Sequence, residues 1–394
     1  MIPNLALGIM GTLEGKRVVA RVDDFALDLF LLAEAGLLPM ADGQAEALLS
    51  SDLKAFISLG KAHHRAVYEA LANLRATQTD ELIKYGRVAR DVELLRPLDP
   101  GDFTDFYANR YHAARSAKLT GDPDFLPEAW DWMPLCYHAR TASLLGHGSQ
   151  IIRPTGWLKG KRGWGHYPSR VLDFEIELGF ILRQSTQPGE RLRAADFDDD
   201  VFGCAVVIDW SARDLQSAEA KPLGPFHAKA FATQIGNWVV PVECLALSER
   251  PAGDLRPNGR MPVEGALFDV SFEAHVRSAK SDWAKVAKTS LLDMAWTPAE
   301  MMAHLTQSGA PVRAGDLFAS GTISGRGPDA LGCLIERKAE GLPNLPLGDG
   351  SDRAFLCDGD SLRISAFLDQ AGNQVPLDEV QGVITPAKEV LETA

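Results

Sequence analysis

Apolar and polar positions change rhythm along the chain, and the clearest pattern lies in its middle. In VLDFEIELGFIL, Val171–Leu182, Phe174, Ile176, Leu178 and Phe180 fall on one side of an extended segment and Asp173, Glu175 and Glu177 on the other, because successive side chains of a strand point to opposite faces. Val201–Ile208 is almost wholly apolar and ends in Asp209, the pattern of a strand buried on both faces. Further strands are expected at Asn237–Val242, Phe268–Arg277, Ala354–Cys357 and Leu362–Phe367, with Asp358-Gly359 as a hairpin turn. Thr297, Pro298 and Glu300 form the start signal of a helix, a capping box with proline at its first position. Earlier in the chain a short strand is expected over Lys16–Val22, then helical periodicity over Ala41–Ser58 and Ala62–Ala89. Two prolines and a glycine in LLRPLDPGD, Leu94–Asp102, mark a boundary, so the expected domains are 1–95 and 96–394. Strands and helices do not alternate regularly. The class is therefore α+β, rich in strands, and a doubly wound parallel sheet is disfavoured.

Composition narrows the function. Hydrophobic residues make up 46% of the chain and charged residues 24%, as in an ordinary globular protein. The net charge of −13, with no basic stripe, argues against a nucleic-acid partner. The most apolar stretch, Phe25–Met40, is broken by Asp28 and Glu34 and falls short of the roughly 20 residues of a membrane span. Met1–Met10 lacks the order of a signal peptide, which leaves a cytoplasmic protein with no membrane partner as the expectation. Cys136, Cys204, Cys244, Cys333 and Cys357 are odd in number and widely spaced, so they read as reduced thiols, buried or inert. His63 and His64 are adjacent on a helix and face different ways, which argues against a shared metal. No G-x-S-x-G or G-x-G-x-x-G supports a serine hydrolase or a nucleotide cofactor; Ser149 and Ser324 have the wrong glycine spacing.

The candidate chemistry is acidic. Same-face residues on a strand lie ~7 Å apart, so Glu175 and Glu177 repel each other unless a cation, a proton or solvent intervenes. Asp209 needs a partner at the end of its buried strand, either a cation or Arg213. Asp105, in DFTDFYANRYH, is a third source of oxygen. Together Asp105, Glu175, Glu177 and Asp209 would suit Mg²⁺ or Ca²⁺. His112 has the side chain best matched to general-base work near neutrality, although a lone histidine also reads as structural. Arg213 and Gln216, three apart, share a face of a helical turn.

Six segments, DFTDFYANRYHA, PLCYHARTAS, LDFEIELGF, DWSARDLQ, PLGPFHAKAFAT and ASGTISG, occur in this order and resemble the signature segments of the fumarylacetoacetase family. NLALGIMGT and LKAFISLGK resemble the additional N-terminal domain of its long members. The resemblance implies a small N-terminal SH3-like barrel, a larger mixed β-sandwich or roll, and a homodimer. It implies Asp105, Glu175, Glu177 and Asp209 as ligands of Mg²⁺ or Ca²⁺, with Lys229 and Thr233 as further contacts near the metal. His112 would activate water, held in orientation by Glu336, and Arg213, Gln216 and Lys229 would receive the oxyanion. Tyr107, Tyr137 and Thr322, with Arg213 and Gln216, would contact substrate. The implied reaction is hydrolytic cleavage of a carbon–carbon bond in a β-diketo acid, fumarylacetoacetate or a related acylpyruvate. Decarboxylases, hydratases and isomerases of the same superfamily, or a non-catalytic cation-binding homologue, are the alternatives.

Three departures stand out. Ala220 takes the place of a substrate-binding tyrosine, and Lys118–Asp122 lacks the arginine expected near Gly121, for which Arg115 or Lys118 would have to substitute. Ala228 and Ala232 stand where the family usually has glycine. A missing phenol and guanidinium would alter recognition of a terminal carboxylate by about a few kcal/mol if both were buried.

Overall fold

Where short turns return the chain on itself, its first sheet forms. Strands β1 (Ala6–Thr12), β2 (Gly15–Val22) and β3 (Phe25–Asp28) make an antiparallel meander, extended by β4 (Gly86–Val88) on β3 and β5 (Leu94–Leu95) on β1. Helix α1 (Lys61–Thr77) buries His64, Val67, Leu71 and Leu74, a spacing of three and four that presents one face to a core. The computed structural model describes the chain except residues 1, 3, 40–42, 78, 121–125, 162, 254, 256–261, 371 and 389–394, and the side chains of 79, 120 and 247. The helix expected over Ala62–Ala89 is shorter than its periodicity suggested: a second helix, Thr79–Tyr85, gives way to β4. At Gly86 an added Cβ would lie 2.4 Å from Leu82 O, so the chain leaves the helix at a residue with no side chain. Leu94–Leu95 pairs with β1, so the segment expected to be a linker is partly strand.

Beyond it lie β6 (Phe103–Phe106), α2 (Arg110–Thr120), β7 (Cys136–His138), β8 (Leu144–Leu145), β9 (Gln150–Ile152) and a hairpin of β10 (Thr155–Gly160) and β11 (Gly163–Pro168). Next come β12 (Leu172–Leu182), β13 (Val201–Ala212), α3 (Arg213–Glu219), α4 (His227–Ala230), β14 (Thr233–Ile235), β15 (Val240–Pro241), β16 (Val270–Arg277) and β17 (Ala284–Ser290). The chain continues through α5 (Pro298–Leu305), β18 (Leu317–Ala319), α6 (Leu334–Ala339), β19 (Ser361–Gln370) and β20 (Asn373–Thr385). One sheet runs β7-β6-β18-β12-β13-β14-β8 with β15 also on β13; a second runs β17-β16-β19-β20-β9. They approach closely at Gly382 of β20, where a Cβ would meet Gln234 Oε1 at 2.2 Å and the Trp210 ring at 2.9 Å. The result is a strand-rich mixture of strands and helices, as the sequence pattern implied.

Several local expectations change. Asn237–Val242 forms a strand only at Val240–Pro241, with an isolated bridge from Val239 to Leu7, and proline has no N–H to continue the ladder. Phe268–Arg277 divides into two strands at Asp269. Ala354–Cys357 contributes only an isolated bridge from Leu356 to Leu172, so Asp358-Gly359 turns the chain without closing a hairpin. The capping box at Thr297 and Glu300 is present. All five cysteines are free, as expected of reduced thiols; Cys204, Cys244 and Cys333 are buried and Cys136 and Cys357 are exposed. Among the described residues no helix is long and apolar enough to cross a membrane.

Candidate active site

Strand register assembles the acidic residues. Glu175 of β12 lies opposite Asp209 of β13, and Asp209 lies opposite Thr233 of β14. On the other side of β12, Gly179 pairs with Ala319 of β18, and Ala319 pairs with Asp105 of β6. Glu177 stands one pleat from both rungs on the same face. All of β12 is buried, so the acidic row is not a solvated strand face. Ligand atoms of Asp105, Glu177 and Asp209 lie within 4.8 Å of one another.

The acids divide into two sets. Both Glu177 oxygens and Asp105 Oδ1 are buried without a hydrogen-bond partner. Burial, then the negative charge of neighbouring carboxylates, pushes Glu177 and Asp105 well above the usual carboxylate range. Burial also raises Asp209, against the pull of Lys229. Buried acceptors without donors, crowded with like charge, are a donor set suited to a hard cation. Glu175 is different: Arg213 Nη1 is 2.6 Å from its Oε1 and Lys229 Nζ is 2.9 Å from its Oε2. Burial alone would raise this carboxyl, but Lys229 and Arg213 outweigh it and hold it well below its usual value. Lys229 Nζ also donates to Asp209 Oδ2 at 2.5 Å and Ser211 Oγ at 2.7 Å, so its three N–H groups are committed. The Tyr137 hydroxyl bridges Asp105 Oδ2 at 2.8 Å and Asp209 Oδ2 at 3.0 Å. Asp209 therefore pairs with Lys229 and Tyr137, while Arg213 goes to Glu175 and, through Nε, to Asp173 Oδ2 at 2.9 Å.

The histidine reaches this cluster from α2. Asn109 precedes the helix and accepts the His112 backbone N–H at 2.9 Å, while its own Nδ2 donates to Ser324 O at 2.8 Å. His112 Nδ1 lies 2.5 Å from Glu336 Oε1 on α6, and Nε2 lies 4.0 Å from Glu175 Oε1. A carboxylate at Nδ1 assigns the proton there and leaves Nε2 bare. Glu336 is fully buried; it also accepts from Ser324 Oγ at 2.7 Å and from Arg115 Nη1 at 3.1 Å. The Tyr107 ring stands edge-on to His112, with centroids 5.5 Å apart. Arg213 Nη1 donates to Gln216 Oε1 at 3.0 Å, and its Nη2 is buried without a partner, as is Thr322 Oγ1.

Every candidate catalytic, substrate-contacting and metal-binding residue thus lies in or against this one cluster, whereas Ala220 caps the end of α3 and Gly121 and Asp122 fall outside the described residues. Arg115 is not available to replace an arginine at the substrate, because its guanidinium is engaged by Glu336, Glu340, Gly325 O and Arg326 O. Lys118 is exposed beside Glu340. Sequence reasoning missed Asn109, Ser324 and the bracing role of Asp173. Asp173 alone carried a signal, as the first member of the acidic row.

Two family models match the chain: Fumarylacetoacetase N-terminal over residues 3–95 and Fumarylacetoacetate (FAA) hydrolase C-terminal over residues 103–376. Curated relatives include the fumarylacetoacetase of Dictyostelium discoideum, 33% identical over 98% of this chain and 95% of that protein. The fumarylacetoacetase of Homo sapiens is 30% identical over 98% of this chain and 96% of that one. Among solved structures, the fumarylacetoacetate hydrolase of Exiguobacterium antarcticum superposes with a TM-score of 0.59 at 15% identity, covering 98% of this chain and all of that one. A maleylpyruvate hydrolase of Sphingobium sp. SYK-6, solved with manganese (II) ion and pyruvate, shares the fold at a TM-score of 0.53 and 15% identity, covering 98% of this chain and all of that one. Fold and site together define a hydrolase acting on carbon–carbon bonds. The chain belongs to the fumarylacetoacetase family, in the form that carries both domains.

Proposed function

We propose that this enzyme hydrolyses the bond between the central methylene and the adjacent carbonyl of fumarylacetoacetate, giving fumarate and acetoacetate, or the equivalent bond of a related acylpyruvate. The observation that carries this reading is the bare Nε2 of His112 facing, at 4.0 Å from Glu175, a buried acidic cluster whose Glu177 oxygens have no partner. His112 takes a proton from water at Nε2, with Glu336 balancing the charge on the imidazole. Hydroxide adds to the carbonyl, and the oxyanion meets donors already in place. Arg213 supplies the unpartnered Nη2, and Gln216 the amide end not engaged by Arg213. Lys229, with all three donors committed, balances the charge of Glu175 and Asp209 unless one contact is released. The carbon–carbon bond then breaks, its electron pair stays with the methylene carbon, and the proton on His112 neutralises it.

A divalent cation, Mg²⁺ or Ca²⁺, held by Asp105, Glu177 and Asp209 with Glu175 and Thr233 beside it, would supply positive charge where the diketone oxygens become electron-rich. Tyr107 beside His112, Tyr137 against Asp105, and Thr322 are the side chains that would contact substrate. The reading extends to a cytoplasmic homodimer in which each chain divides into domains at residues 95/96. Exposed Trp157 and Trp164 on the β10–β11 hairpin are apolar surface that a second copy would cover. The 3₁₀ turn Ala89–Asp91 between β4 and β5 supports an SH3-like N-terminal barrel.

The test is turnover of fumarylacetoacetate and a panel of acylpyruvates with Mg²⁺, with Ca²⁺ and with EDTA. Metal-dependent loss of the diketone absorbance with two acids as products is expected. Release of CO₂ with the chain uncut would instead assign the decarboxylase branch. His112→Ala should lower kcat by about 10²–10⁴-fold while the cation still binds; near-normal turnover in that variant would remove His112 from the base role.

A further inference from the structure

His112 and Arg115 are three residues apart on α2, so they lie on one face of the helix. Both side chains reach the same carboxylate. His112 Nδ1 meets Glu336 Oε1 at 2.5 Å, and Arg115 Nη1 meets Glu336 Oε2 at 3.1 Å. Ser324 Oγ completes the set on Oε1 at 2.7 Å. Glu336 and Arg115 are both buried, at 0% and 7% exposure, so no solvent reaches this carboxylate to share its charge. The rest of the guanidinium holds the surrounding frame: Nη1 also donates to Gly325 O at 3.0 Å, Nη2 to Arg326 O at 3.3 Å, and Nε to Glu340 Oε1 at 3.2 Å. Arg115 thus ties the helix carrying the imidazole to the helix carrying its acceptor.

We propose that Arg115 is a positioning residue for the His112–Glu336 pair: it fixes Glu336 as an acceptor and so keeps the proton of His112 on Nδ1. This role for Arg115 rests on His112 being the base. An ionised carboxylate only accepts hydrogen bonds, and all three donors around Glu336 point to that form. Without Arg115, Oε2 would be a buried acceptor with no donor. Taking up a proton would then satisfy it, and a protonated Glu336 rotating toward His112 would offer a donor to Nδ1. The imidazole would then carry its proton on Nε2, where water must be deprotonated. Arg115 touches neither the acidic cluster nor any residue assigned to substrate, so its effect is on turnover and not on binding.

The experiment compares Arg115→Met, Arg115→Lys and Glu340→Gln, with His112→Ala as reference, using fumarylacetoacetate. Arg115→Met should lower kcat by about 10–100-fold, the usual range for an outer partner of a working histidine, with KM changed less than about twofold. Arg115→Lys, which keeps a positive donor, should recover part of the loss. Glu340→Gln removes only the outer contact of Arg115 and should leave kcat within about twofold. The nitrogen chemical shifts of neutral His112 should show the proton on Nδ1 in the wild type and on Nε2, at least in part, in Arg115→Met. Full kcat in Arg115→Met, or a loss of equal size in Glu340→Gln, overturns the proposal, the second because the effect would then belong to the helix clamp. If Arg115→Met does not fold, the nitrogen shifts of Arg115→Lys and Arg115→Gln decide: equal shifts in both overturn it. Turnover surviving His112→Ala would sink the base reading itself, a separate outcome.

Discussion

Asp173 Oδ2 lies 2.9 Å from Arg213 Nε, and the same carboxylate accepts the backbone N–H groups of Leu334 at 2.8 Å and Ile335 at 3.0 Å. One buried aspartate therefore joins the residue proposed to receive the oxyanion to the first turn of the helix that carries Glu336. Every group facing it is a donor. In Asp173→Asn the amide NH₂ must point at one of them, whichever way it is turned. The expected result is a stability loss of about 1–3 kcal/mol and a kcat reduced by roughly tenfold or more, measured by denaturant unfolding and steady-state turnover. Wild-type kcat in a folded Asp173→Asn protein would mean that Arg213 is held well enough by Glu175 alone.

Glu177 gives a test with two opposite signs. Its oxygens have no partner, and burial with Asp105 and Asp209 nearby pushes its carboxyl upward. Glu177→Gln removes a charge that the metal-free protein gains nothing from. Its Tm in EDTA should equal or exceed that of the wild type, while the Tm increase produced by Mg²⁺ or Ca²⁺ should shrink sharply. A cation-induced shift as large as in the wild type would place the cation elsewhere.

The strand carrying Glu175 and Glu177 was legible because its alternation is strict and one face is wholly apolar. The meeting of Asp105 with these residues was not. It depends on β18, a three-residue strand placed between β6 and β12, and no local pattern announces so short a partner. The acidic row also read as equally compatible with solvent until both faces of β12 proved buried. Hairpin β10–β11 escaped notice because its tryptophans face outward, at 65% and 61% exposure, and so leave no core-facing period. Family resemblance located His112 and Glu336, whereas the other partners of Glu336 are Ser324, from a loop, and Arg115, three residues beyond His112 on α2 and far from Glu336 in sequence. Hydrogen-bond satisfaction in three dimensions selects such residues, and sequence spacing does not record it.

Ala220 ends α3, half-buried, four residues beyond Gln216. A tyrosine here would place a phenol near the donors that Gln216 and Arg213 provide. If this position borders the substrate, Ala220→Tyr should lower KM for fumarylacetoacetate by about 3–10-fold, the worth of one hydrogen bond, with less effect on a shorter acylpyruvate. Parallel changes for both substrates would place Ala220 outside the region that distinguishes them.

Stability should depend on pH through Asp378 of β20, which is not part of the catalytic cluster. Arg21 of β2 donates to Leu377 O at 2.7 Å, and Trp238 N donates weakly to Asp378 Oδ2 at 3.4 Å, so this residue sits where the N-terminal sheet meets the larger part of the chain. Burial raises its carboxyl from 3.8 to about 7, against the nearby charge of Arg21. Between those values the folded protein holds a proton that the unfolded chain has released. The contribution of Asp378 is therefore fully present below pH ~4 and is lost as pH rises through ~7, a change of up to about 4 kcal/mol. Asp378→Asn keeps the shape and removes the titration. Its Tm should exceed that of the wild type at pH 8, and the difference should narrow as the pH falls through 5 and vanish only near pH 4. A constant difference across that range, or a variant less stable at pH 8, would show that the Asp378 carboxylate is well satisfied by Arg21 in the folded protein.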